Sequence, residues 1–174
     1  GVMCADDFYT GTVSAAFGGT TTVIPFAAQH RGMSLREVVK DYHAAATPKA
    51  VIDYAFHLIV TDPTPAVLGQ ELPALIKDGY TSFKIYMTYD AMKVSDYQIL
   101  DILALARRDG ALVMVHAENH DMIAWLAHHL VDQGHVAPKF HAIAHARVAE
   151  AEATNRAISL ARLVDAPLLL VHMS

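Results

Sequence analysis

Apolar runs that begin near residues 20, 51, 83 and 112 recur about every 30 residues, and this spacing constrains the chain more than any other feature. A fifth run begins near residue 168, after a gap with room for an extra helix or loop. The stretches between them carry helical spacing. Strand–helix–strand units of that length impose a parallel sheet covered by helices, so the expected class is α/β. The run at 51–60 is almost continuously apolar, as in strands buried on both faces. Pro25 falls near the end of the first run, which suits a strand terminus. The spacing leaves two architectures open, a doubly wound open sheet and a (β/α)8 barrel. No Gly-x-Gly-x-x-Gly follows the first strand, and Gly18-Gly19 precedes it, which argues against a dinucleotide site.

Helix boundaries are also written into the chain. Asp6 or Asp7 starts a helix that Gly18-Gly19 stops. Ser34 followed by Glu37 predicts a capping box for a helix running to about residue 47. Leu68, Leu72, Leu75 and Ile76 share a helix face ending at Gly79. Ser95 caps a helix that buries Ile99, Ile102, Leu103 and Leu105 and ends at Gly110. Two more helices are expected near 121–131 and 148–164.

With 174 residues, 53% of them hydrophobic, the chain can bury one real core. A formal net charge of -5 excludes the basic face that nucleic acid requires. A single cysteine, Cys4, forbids an internal disulfide and points to a reducing, cytoplasmic setting. Residues 1–7 lack the basic region and apolar core of a signal peptide. No apolar run approaches the roughly 20 residues of a membrane span, so no membrane partner is expected.

The candidate chemistry sits on three strands. Lys84 lies in the middle of the apolar run 81–87, and the runs 112–116 and 168–172 end in His116 and His172. A lysine is almost never buried without a partner or a chemical reason. It either pairs with a carboxylate or is modified so that it stops being a cation. Reactive groups gather at the carboxyl ends of parallel strands, where both histidines fall. Imidazole ligates metals, whereas an ammonium has no lone pair to offer. Carbamylated by carbon dioxide, a lysine would present a carboxylate instead. Plainer readings stand beside these: a lone strand-end histidine is more often a hydrogen-bonded core residue, and a lysine in a strand often snorkels. Alternation puts Tyr86 on the lysine's face. His57 reads as a core histidine, and His128 and His129 as the solvated side of a helix. Glu118 and Asn119 read as groups that hold a neighbouring ligand, with Asn119 equally suited to cap a helix. Asp53 and Asp165 read as structural.

Five motifs then carry a resemblance. They are Ala5-Asp6-Asp7-Phe8-Tyr9-Thr10-Gly11-Thr12, Phe17-Gly18-Gly19-Thr20-Thr21-Thr22, Ser82-Phe83-Lys84-Ile85-Tyr86-Met87-Thr88-Tyr89, Val113-Met114-Val115-His116-Ala117-Glu118-Asn119 and Val171-His172-Met173-Ser174. From end to end the chain resembles the dihydropyrimidinase and D-hydantoinase branch of the cyclic amidohydrolases. The resemblance implies a partial (β/α)8 TIM barrel of the metal-dependent amidohydrolase type, about strands two to six, as one catalytic-domain piece over residues 1–174. It implies two divalent metal ions, usually zinc, bridged by a carbon dioxide-derived carbamate on Lys84. His116 and His172 would ligate the second ion. Tyr89 would aim its hydroxyl at the oxyanion of the tetrahedral intermediate; Tyr86, placed on the lysine's face by alternation alone, either lines the substrate pocket or fills the core.

The implied substrate is a small cyclic amide, a 5,6-dihydropyrimidine or a hydantoin, opened at its ring C–N bond to an N-carbamoyl amino acid. The implied parent enzyme is a homotetramer. The family's His-x-His pair and its last-strand aspartate have no counterpart in these residues, so the 174 residues alone are expected to be inactive. Allantoinase and dihydroorotase are the near rivals, and Tyr89 in its motif favours the dihydropyrimidinase branch. Non-catalytic dihydropyrimidinase-related scaffold proteins have lost metal ligands; Lys84, His116 and His172 are present here.

Overall fold

The computed structural model describes residues 4–174; residues 1–3, on which part of the signal-peptide expectation rests, lie outside it. A first helix, α1 (Phe8–Phe17), is capped by Asp7, whose carboxylate accepts from the N–H groups of Tyr9 and Thr10. Two short strand pairs follow: β1 (Thr22–Val23) with β3 (Asp53–Tyr54), and β2 (Phe26–Ala28) with β4 (His57–Ile59). Both pairs keep one register, Thr22 opposite Asp53 and Phe26 opposite His57, so each pair of pieces is one strand interrupted. The interruption sits at Pro25, inside the strand and not at its end as its position suggested. Proline has no N–H to give to the ladder, while its carbonyl still accepts from His57 N–H at 3.0 Å.

The remaining strands are β5 (Ser82–Tyr86), β6 (Leu112–His116) and β7 (Leu168–Leu170). They extend β2 and β4 into a five-stranded parallel sheet of order β2-β4-β5-β6-β7. The sheet stays open, with β2 and β7 at its edges. Helices α2 (Leu35–Ala46), α3 (Leu72–Lys77), α4 (Asp96–Asp109), α5 (His120–Asp132), α6 (His141–Ala144) and α7 (Arg147–Leu163) connect the strands. A π-helical turn over Val67–Glu71 opens α3, and a 3-10 turn over Pro138–Phe140 opens α6, in the long gap before β7.

One face of the sheet meets these helices. Leu58, Phe83, Ile85, Val113 and Val115 are fully buried there with Ile99, Ile102 and Leu103 of α4. On α7 the buried residues are Ala149, Ala153, Ala157 and Ala161, one small side chain per turn, which lets that helix lie close to its neighbours. Ser95 caps α4 in a capping box with Gln98, and Gly110 ends it at φ 80°, a left-handed conformation that glycine adopts without strain. Ser34 caps α2, but the expected partner Glu37 does not complete a box. The carboxylate of Glu71, 36 residues away, instead accepts from Leu35 N–H at 2.6 Å and from the Ser34 hydroxyl at 3.0 Å. Among the described residues no helix is long and apolar enough to cross a membrane.

Candidate active site

Strand register places the candidate groups together on the other face. Lys84 lies opposite Ile59 on one side and Met114 on the other, and Tyr86 lies opposite His116. Because side chains alternate, Lys84, Tyr86 and His116 point away from the helices that cover Phe83 and Ile85. His57 shares this face. Its half-buried ring, read from the sequence as that of a core histidine, lies 5.2 Å from that of Phe26 and bonds the Ser82 hydroxyl.

Lys84 is 4% exposed, and among the described residues no buried side-chain nitrogen or oxygen goes without a partner. Its Nζ lies over two rings, 5.1 Å from the centre of Phe26 and 4.7 Å from that of Tyr86. Ring faces attract an ammonium by about 0.5–2 kcal/mol. Lost hydration works against the charge, and burial holds the Lys84 pKa below its ordinary value.

The two histidines converge. His116 Nδ1 and His172 Nε2 lie 2.9 Å apart. His116 turns its other nitrogen, Nε2, to Glu118 at 2.7 Å. A carboxylate only accepts, so His116 Nε2 carries the proton and Nδ1 keeps its lone pair. Two nitrogens bound tetrahedrally to one zinc at about 2.0–2.1 Å would sit about 3.3–3.4 Å apart. The observed pair is a small side-chain adjustment from that spacing, so these residues fit a divalent ion. No three His, Cys, Asp or Glu side chains form a metal-holding group among the described residues. A third donor from these residues would be Lys84 in its carbamate form.

Around this centre the rings are packed. Tyr86 stacks on His116 at 5.4 Å, and the Tyr89 ring lies 5.2 Å from His116. Tyr89 follows the end of β5 at φ 71°, and its carbonyl accepts from the N–H groups of Met92 and Lys93. Burial and the negative charge of Glu118 push the Tyr89 phenol pKa up, so its hydroxyl stays a donor at neutral pH. Burial lowers the His116 pKa, against the raising effect of Glu118, which keeps the ring inclined to neutrality. For Glu118, burial would raise the carboxyl; hydrogen bonds from His145 and His116 outweigh it and hold the group below its ordinary range.

Sequence reasoning missed His145. Its Nδ1 donates to the second oxygen of Glu118 at 2.8 Å. Asn119 caps α5 by accepting from Met122 N–H, and its amide also donates to Glu152 at 2.6 Å. His128 and His129 are exposed on α5. A cavity of about 120 Å³ lies between His116, Glu118, Glu150, His172 and Ser174. A larger cavity, about 990 Å³, opens between α4 and α7 near Thr81, Gly110 and Pro167, at the amino ends of the strands and remote from this chemistry.

Comparison with known proteins places the arrangement. No protein-family model matches the chain. It is 44% identical over 176 residues to D-hydantoinase of Geobacillus stearothermophilus and 47% identical over 171 residues to D-hydantoinase of Rhizobium radiobacter. These alignments take in 100% and 98% of the chain but 37% of each relative's length. The crystal structure of dihydropyrimidinase from Brevibacillus agri NCHU1002 matches all of the chain with a TM-score of 0.96 at 42% identity, over 38% of that protein. D-hydantoinase from a Bacillus sp. AR9 matches with the same TM-score at 41% identity.

Proposed function

Since the chain belongs to the D-hydantoinase and dihydropyrimidinase family, of whose members it spans about 37%, we propose that it forms the metal-binding portion of a cyclic-amide hydrolase. The substrates are 5,6-dihydropyrimidines or hydantoins, and the product of opening the ring C–N bond is an N-carbamoyl amino acid. The open sheet is then part of a (β/α)8 barrel, about strands two to six, within one catalytic domain. The observation that carries this reading is the convergence of His116 Nδ1 and His172 Nε2 at 2.9 Å on the face where the Lys84 amine lies over the Tyr86 ring.

Each residue has a role that follows from its surroundings. Lys84, as its carbamate, would supply an oxygen donor to the metal centre. Burial lowers its pKa, which raises the neutral fraction of the amine. The neutral nitrogen forms a bond to the carbon of carbon dioxide and releases a proton, leaving a carbamate anion. That reaction replaces a desolvated cation with an acceptor group. His116 and His172 supply the imidazole donors, and the intact parent protein would hold two ions, zinc foremost. Bound divalent ions polarise the scissile carbonyl and lower the pKa of water. Tyr89, kept protonated, donates its hydroxyl to the oxygen that gains charge as the ring amide is attacked. Tyr86 lines the pocket and buttresses the His116 ring.

Hydrolysis of dihydrouracil and of hydantoin by the intact protein, with zinc and bicarbonate, tests the reading. Ring opening that disappears on chelation is the expected result; metal-independent hydrolysis, or none with either substrate, overturns it. The 174 residues alone contribute three donors and should show no turnover under the same conditions. The parent protein should elute as a homotetramer by light scattering.

A further inference from the structure

Glu118, read from the sequence as a group behind a neighbouring ligand, meets His145, which has no role in the chemistry above, and both are well enclosed, with side chains 17% and 19% exposed. The carboxylate of Glu118 spends both oxygens on histidines: Oε2 accepts from His116 Nε2 at 2.7 Å and Oε1 from His145 Nδ1 at 2.8 Å. The two histidines come from different parts of the fold. His116 ends β6, and His145 closes the short helix α6 in the long connection that precedes α7.

We propose that Glu118 is a positioning residue that fixes the tautomer and ring direction of His116, and that His145 in turn fixes Glu118, so the connection over 138–145 braces the metal-binding face. The argument is geometric. An imidazole has one proton to give when neutral. The Glu118 oxygen claims it at Nε2, which forces the lone pair onto Nδ1, the atom that faces His172. Without the carboxylate the proton is free to sit on Nδ1, and the ring would then present N–H where a donor pair is needed. A carboxylate held by one partner alone can still swivel about its last torsion; a second bond to His145 on the other oxygen stops that motion. Partners of this kind, lying behind a metal-ligating histidine, typically change metal affinity about 10–100-fold when removed.

The inference rests on the proposed metal site, and its test separates the two. In the metal-free intact protein, long-range ¹H–¹⁵N spectra of the His116 ring report the tautomer without any metal. Wild type should show the proton on Nε2. Glu118→Ala should give a mixture, and Glu118→Gln, nearly the same shape but with one acceptor oxygen instead of two, should fall between. Zinc affinity by competition with a chromophoric chelator should drop about 10–100-fold in Glu118→Ala and less in His145→Ala. His145→Gln, whose amide can still donate, should recover most of the loss. Lys139→Ala, on the same connection but away from Glu118, should leave both readings unchanged. An unaltered His116 tautomer in both Glu118 variants would overturn the positioning role, whatever the zinc result. A shifted tautomer in a protein that binds no zinc at this centre would uphold the role of Glu118 and sink the metal reading instead.

Discussion

The two faces of one sheet obey different rules, although they alternate residue by residue along the same strands. Phe83 and Ile85 point into the helix layer and are fully buried; Lys84 and Tyr86, one position on, point the other way. On the covered face Leu58, Phe83, Ile85, Val113 and Val115 meet apolar helix residues, and the polar cluster of His43, Tyr54 and Tyr80 sits against Phe56. The open face carries an amine, imidazoles and phenols; there His116 bonds His172 and Glu118, and His57 bonds Ser82. A strand can hold chemistry on one face only because the other face supplies the burial that keeps it in place.

Substitutions at adjacent positions separate the two rules most sharply. Lys84→Met should reduce hydrolysis by the intact protein to background, yet leave urea unfolding unchanged or shifted to higher denaturant, because a desolvated amine is replaced by an apolar chain. Phe83→Ala should cost about 3–5 kcal/mol in the same unfolding measurement. If the lysine variant unfolds as easily as the phenylalanine variant, the contrast between the faces is wrong. Smaller effects are expected on the helix side. Glu71→Ala strips the Leu35 N–H and the Ser34 hydroxyl of their acceptor and should cost about 1–3 kcal/mol. Gly110→Ala forces a Cβ into a left-handed residue and should cost about 1–2 kcal/mol. The least change belongs to the solvated rim. Lys49 and the α1 cap hold the Asp7 carboxyl at about 2, below its ordinary 3.8. A depressed acid stabilises the fold above its unfolded pKa, so this contribution should be intact above about pH 4 and fade as the pH falls toward 2, followed by carboxyl ¹³C shifts of Asp7.

Much of the covered face was legible because local pattern dictates it. Ser95, Asn119 and Gly110 sit where their types predict, and the α4 interior is the one its spacing names. The candidate site was partly legible, since Lys84 in an apolar run and a histidine closing each of two later runs are anomalies of composition, although β7 itself stops at Leu170, two residues before His172. What stayed hidden depends on partners far along the chain. Glu71 reaches the start of α2 across 36 residues, and no three-residue motif can announce it. His145 lies in a stretch with no period at all, 27 residues from the carboxylate it grips. The face that His57 takes stayed hidden for a related reason: a nearly continuous apolar run does not say which of its residues turn from the helices.

The backbone of Tyr89, at φ 71°, has a consequence for how the molecule ages under selection. A side chain in that region holds about 1–3 kcal/mol of conformational strain, which a glycine would release. Drift toward glycine there would be rewarded by the fold, so Tyr89→Gly should hold or raise resistance to unfolding even as it removes the phenol.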